Sequence, residues 1–106
     1  MRRFAGVIKL KAGASKEEYK KRHDQIWPEL SDLISRRGIR NNTIWFYDNQ
    51  LFSYYETDDD GVNPLESDED IVIDRRWAEY MSDLIEMVVD VQTGQPLTLE
   101  CMFLHE

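Results

Sequence analysis

The sequence predicts a ferredoxin-like α+β domain, βαββαβ in order, with an antiparallel sheet and both helices on one face. Three observations predict it. Apolar strand runs and helical stripes follow one another as strand, helix, strand, strand, helix, strand. The two middle strand runs are separated only by the short polar stretch Asp48-Asn49-Gln50, which makes a hairpin. The length, 106 residues, suffices for one domain and not for two, so residues 1–106 are read as a single unit.

The first strand covers Arg3 to Lys11, "RFAGVIKLK", with Phe4, Ile8 and Leu10 on one face. Gly13 breaks it, and Ser15-Lys16-Glu17-Glu18 forms a capping box. Ser15 accepts from the Glu18 amide while the Glu18 carboxylate reaches back. The helix that follows carries Tyr19, Ile26, Trp27, Leu30, Leu33 and Ile34 on one stripe, with His23 inside it. Arg36 and Arg37 suit the negative end of that helix, and Gly38 is a natural stop. Pro28 interrupts the run: either the helix kinks near residues 24 to 28, or a second helix begins with Pro28 in its first turn. Both arrangements expose backbone just after His23.

Thr43 to Tyr47 and Leu51 to Glu56 are the hairpin strands, and the acidic stretch Thr57 to Asp70 is expected to be a solvated loop. A further helix is expected over "DRRWAEYMSDLIEMVV", with Asp74 as its cap and Trp77, Met81, Leu84, Ile85 and Val88 on its stripe. Gly94 and Pro96 close the next connection, and Leu97 to Leu104 alternates as a last strand. The sheet face away from the helices is then apolar and uncovered. Two sheets packed face to face in a homodimer would cover it.

Composition narrows the partners. The chain is 42% hydrophobic with a net charge of -8, which suits a packed acidic domain and disfavours nucleic acid and anionic membrane surfaces. No apolar run is long enough to span a membrane. The start, "MRRFAGVIKLKAG", reads as a strand and not as a signal peptide, and the single cysteine, Cys101, excludes an intrachain disulfide. Both readings point to a cytoplasmic protein.

His23 is the first candidate for chemistry, because it lies on the apolar stripe one turn after Tyr19 and beside the Pro28 irregularity. An imidazole facing a partly dry pocket can exchange a proton near neutral pH. Tyr19, Trp45, Trp77 and Tyr80 offer aromatic surface that is ordinarily core but that also lines sugar pockets. Asn41 and Asn42, just before the second strand, could fix hydroxyl groups. Residues 56 to 67 imitate a calcium loop but place Ser67 where a bidentate glutamate belongs. Neither metal-ligand spacing nor a phosphate-binding glycine loop occurs, so any catalysis is expected to be free of metal and cofactor.

The segment "EEYKKRHDQIWPEL", residues 17 to 30, closely resembles the signature helix of the L-rhamnose mutarotase family. That signature reads tyrosine, three residues, histidine, then isoleucine-tryptophan-proline-glutamate-leucine. "RRWAEYM", residues 75 to 81, is similar to the family's second-helix motif. The resemblance covers nearly the whole chain and is weakest between Thr57 and Asp70. It implies a dimeric α+β barrel that interconverts the α and β anomers of a deoxyhexose, a small neutral monosaccharide, without a cofactor. By the same resemblance His23 is the proton donor, and Tyr19, Asn42 and Trp77 contact the substrate. Two positions depart from the family: Asn42 stands in place of a tyrosine, and Ala78 in place of a second tryptophan. Two other readings remain: a cofactor-free monooxygenase of the same architecture, and a non-catalytic sugar-binding module.

Overall fold

Strand β1 (Arg2–Leu10) occupies the interior of a four-stranded antiparallel sheet in the computed structural model, which describes residues 1–106. The sheet order is β2-β3-β1-β4, with β2 at Arg40–Tyr47, β3 at Gln50–Thr57 and β4 at Ile85–Met87. Helices α1 (Lys16–Asp24) and α2 (Pro28–Arg36) connect β1 to β2, and α3 (Asp68–Met81) connects β3 to β4. This is the ferredoxin-like α+β arrangement expected from the sequence, with its first helix divided in two.

Pro28 causes the division. It forces the preceding residue, Trp27, into an extended conformation (φ -61°, ψ 134°), and it then serves as the first residue of α2. Upstream, Ser15 Oγ caps α1 by accepting from the Glu18 amide at 3.1 Å. The reciprocal half of the box is not made: the Glu18 carboxylate turns instead to Arg22 at 3.5 Å.

The hairpin turn is one residue shorter than expected. Asp48 and Asn49 alone make it, with φ of 51° and 61°, and Gln50 already pairs with Tyr47. Left-handed φ at both central residues matches the right-handed twist of the flanking strands, and Asn and Asp tolerate it. A second irregularity lies in β2, where the register shifts between Arg40 and Thr43 and Asn41 adopts φ 52°. Asn41 and Asn42 therefore belong to the strand, at a bulge, and not to a preceding loop.

Two expectations in the second half are corrected. Helix α3 starts at Asp68, capped by Ser67 Oγ accepting from the Asp70 amide, so Asp74 is mid-helix and caps nothing. The last strand is Ile85–Met87, not Leu97 to Leu104. Of the later segment, Thr98 makes one bridge to Gly6, and residues 100–106 form no strand.

The core sits between α1, α3 and the sheet, where Leu10, Tyr19, Leu51, Met81 and Leu84 cluster. Two arginines bind the helices to one another. Arg22 of α1 donates to the Tyr80 carbonyl at 2.6 Å and to both Asp83 carboxylate oxygens at 2.8 and 3.1 Å. Arg36 of α2 makes a two-point ion pair with Asp70 of α3 at 3.0 and 2.9 Å. Asp70 is buried, and the Arg36 guanidinium holds its carboxyl below the usual range. A depressed native pKa stabilises the fold fully above the unfolded value of about 3.9, and the contribution is lost as pH falls through the native value. Thermal melts should therefore show Tm falling as pH drops below about 5, and Asp70→Asn should flatten part of that drop.

The other sheet face is open along β2, while on β1 Val7 is buried and on β3 Phe52 is half-buried. Strand register places Val7, Phe52 and Trp45 on it, opposite to Ile8, Leu51 and Phe46. Strand β2 is exposed along its whole length, with Trp45 67% and Tyr47 75% accessible.

Candidate active site

The carboxyl-terminal turn of α1 presents His23 to a cleft between the helices and the sheet. His23 Nδ1 lies 3.1 Å from the carbonyl oxygen of Tyr19, one turn back. A carbonyl can only accept, which assigns the proton to Nδ1 and leaves Nε2 as the exchangeable nitrogen. The ring is held on two sides. Tyr19 stacks on it at 4.4 Å between centroids, and Trp77 of α3 meets it edge-on at 5.3 Å. Trp27 packs edge-on against Trp77 at 5.2 Å, and Tyr80 closes the group at 5.5 Å from Trp27.

Burial shapes the electrostatics. Desolvation lowers the His23 pKa below its ordinary value, against the opposing pull of the Tyr19 carbonyl and Asp24. At neutral pH the imidazole is therefore mainly uncharged. Burial pushes the Tyr19 phenol up to about 12, so it remains protonated and able to donate. No buried side-chain polar atom lacks a partner, and the Tyr19 hydroxyl makes no hydrogen bond. Its oxygen is accordingly not fully shielded, and Tyr19 is among the residues that line the cleft.

The cleft has two lobes. An outer lobe of about 560 Å³ includes Tyr19, Lys20 and Phe46, and an inner lobe of about 240 Å³ includes Leu33, Arg37, Asp74 and Trp77. His23, Ile26, Asn42 and Ile44 line both, so the imidazole stands at their junction. Alternation along β2 puts Asn42 on the same side as Ile44, and the bulge at Asn41 gives the strand that register. The structure thus brings Tyr19, His23, Asn42 and Trp77 to one cleft. Ala78 is exposed and lines neither lobe. Reading the sequence missed Trp27 as a support for Trp77. The available signal was its place before Pro28, which turns it out of the helical run.

A pinned imidazole among aromatic rings, on a ferredoxin-like sheet, has the makings of an acid–base isomerase for a small polar ring such as a sugar. Comparison with known proteins narrows that class. The family model for L-rhamnose mutarotase matches residues 3–105. A relative from Bacteroides thetaiotaomicron, an L-rhamnose mutarotase, is 36% identical over 92 residues, spanning 85% of this chain and 86% of that protein. One from Listeria monocytogenes, of the same name, is 33% identical over 88 residues, covering 81% and 82%. The crystal structure of L-rhamnose mutarotase from Formosa agariphila superposes with a TM-score of 0.75 at 30% identity, over the full length of both chains. The chain belongs to the L-rhamnose mutarotase family, a family of sugar isomerases, and the monooxygenase and non-catalytic readings are not favoured.

Proposed function

We propose that the protein interconverts the α and β anomers of a deoxyhexose, L-rhamnose or a close relative, with His23 moving the proton. The observation that carries this reading is the geometry at His23: one nitrogen tied to a carbonyl, the other open to an aromatic cleft.

Anomer exchange requires a base to take the C1 hydroxyl proton and an acid to protonate the ring oxygen. The C1–O5 bond then breaks, the C1–C2 bond turns, and closure reverses the transfers. In the proposed mechanism His23 rests uncharged, so Nε2 first accepts the C1 hydroxyl proton. It returns that proton on ring closure, where it is the donor that the family resemblance implies. Tyr19 supplies the complementary proton to the ring oxygen. Burial raises the pKa of that phenol and so brings it closer to that of the hydroxyl that forms there. Trp77, edge-on against the imidazole and backed by Trp27, shields that side of the ring from water. Asn42 offers an amide to a sugar hydroxyl.

Exchange spectroscopy by NMR on L-rhamnose and L-fucose tests the function. The expected result is faster α-to-β exchange with at least one of them, and no acceleration with either would refute the reading. The pH profile tests the proton assignment. Because the uncharged imidazole is the starting form, kcat/KM should rise with pH through a value below 6.5, the ordinary histidine pKa, and level off at neutral pH. A profile that falls across that window would make protonated His23 the starting form.

We infer further that the protein acts as a cytoplasmic homodimer. The exposed aromatic side chains of β2, Trp45 and Tyr47, support the dimer, and an exposed free thiol at Cys101 suits a reducing compartment. Sedimentation at micromolar concentration should show a dimer, and Trp45→Glu should shift it to monomer. A monomeric wild type would overturn the dimer.

A further inference from the structure

The inner lobe of the cleft contains two opposite charges that do not meet. Arg37, at the end of α2, and Asp74, midway along α3, both line it, yet no ion pair joins them. Arg37 uses its Nε to donate to the Asn63 carbonyl at 2.9 Å, which leaves the two terminal nitrogens of its fork uncommitted. Asp74 makes no hydrogen bond or ion pair at all, and with Ser67 capping α3 it has no capping role. The rest of that lobe is mainly apolar, with Leu30, Leu33, Ile34 and Ile39 on the α2 side. Asp74 lies one turn before Trp77, so the two side chains share a helix face, and Trp77 in turn touches His23. A carboxylate is thereby placed beside the rings that frame the imidazole.

We propose that Asp74 and Arg37 form the specificity-determining end of the sugar site, reading a pair of adjacent hydroxyls away from the anomeric carbon. The inference deepens the function proposed above and rests on it. A hydroxyl both donates and accepts. One lodged between the two side chains donates to the Asp74 carboxylate and accepts from the Arg37 fork, taking the place of solvent at an exposed carboxylate and a half-buried guanidinium that have no ionic partner in the protein. A neighbouring hydroxyl occupies the second carboxylate oxygen. Because the charges cancel, the pair suits a neutral polyhydroxy ring. The substrate class is thus a neutral pyranose with an intact vicinal diol at its non-anomeric end.

The experiment combines exchange kinetics with direct binding, using L-rhamnose, its 3-deoxy and 4-deoxy analogues, and the variants Asp74→Ala, Arg37→Ala and the double variant. Asp74→Ala should raise KM for L-rhamnose about tenfold or more, with a much smaller change in kcat. For the analogue lacking the hydroxyl that Asp74 holds, the same substitution should change KM less than about twofold. The double variant should raise KM by less than the product of the single effects, since one hydroxyl bridges both residues. An unchanged KM for L-rhamnose in Asp74→Ala, or an equal loss on every analogue, would overturn the proposal. Saturation-transfer NMR reads binding without turnover. Wild-type binding lost in Asp74→Ala would uphold the pair even if anomer exchange were never accelerated. Absence of wild-type binding to any of these sugars would overturn it.

Discussion

Replacing His23 with alanine should lower the catalysed rate of anomer exchange by about 100-fold or more, down to the exchange that occurs in water. Two facts set that expectation. His23 stands at the junction of the two lobes of the cleft, and its Nε2 is the uncommitted nitrogen of a ring whose Nδ1 is tied to the Tyr19 carbonyl. No other imidazole can substitute, because His105 lies in the terminal segment and lines neither lobe. Alanine also removes a ring that Tyr19 and Trp77 pack against, so a loss of rate alone does not separate chemistry from packing.

His23→Asn separates them. An asparagine amide can donate to the Tyr19 carbonyl as Nδ1 does, but it has no nitrogen that takes up a proton near neutral pH. The asparagine variant should therefore bind L-rhamnose close to the wild-type level and still lose exchange about as fully as alanine. NMR exchange rates and saturation-transfer binding, measured on the same samples, check both halves. Exchange at wild-type speed in the asparagine variant would remove His23 from the mechanism.

How far these features were legible in the sequence depends on which interactions are local. Pro28 acts within one turn, so the division of the first helix could be foreseen as one of two outcomes, and the structure selects the second. The Asp48-Asn49 turn is local as well, and its hairpin was evident to within one residue. The end of α3 was not. Trp77, Met81, Leu84 and Ile85 keep helical spacing, but the helix stops at Met81. Leu84 is buried from the turn that follows, and Ile85 is half-buried from a strand paired with Leu10. Periodicity reports which residues go inside and is silent about which element takes them there. The start of α3 was missed for a related reason. Asp68, Glu69 and Asp70 look like loop composition, yet acidic residues in a first turn favour the positive end of a helix, and Ser67 caps it. In the cleft, Tyr19 and His23 are neighbours on one helix and were readable as a pair. Asp74 and Arg37 meet the cleft only because α2 and α3 pack side by side, a relation no short window of sequence contains.

Met81→Ala carries the largest expected cost in stability, about 2–5 kcal/mol out of the 5–15 kcal/mol typical of a domain this size. Met81 is 2% exposed and packs with Leu10, Tyr19, Leu51 and Leu84 beneath α3. It lines none of the larger clefts, so a truncated side chain leaves a closed apolar void that solvent cannot relieve. Leu33 gives a useful contrast. It is equally buried but borders the inner lobe, so its truncation enlarges an existing cavity and should cost toward the lower end of the same range. Urea unfolding at fixed protein concentration measures both, the concentration being held because association would shift the midpoint. Met81→Leu keeps most of the volume and should recover all but about 1.5 kcal/mol. The consequence extends to the cleft, because Trp77 sits one turn before Met81 on the same helix face and holds His23 edge-on. A Met81→Ala protein that remains folded should therefore lose exchange activity through a displaced Trp77. Full activity with a lowered urea midpoint would show that α3 positions Trp77 independently of its own core contact.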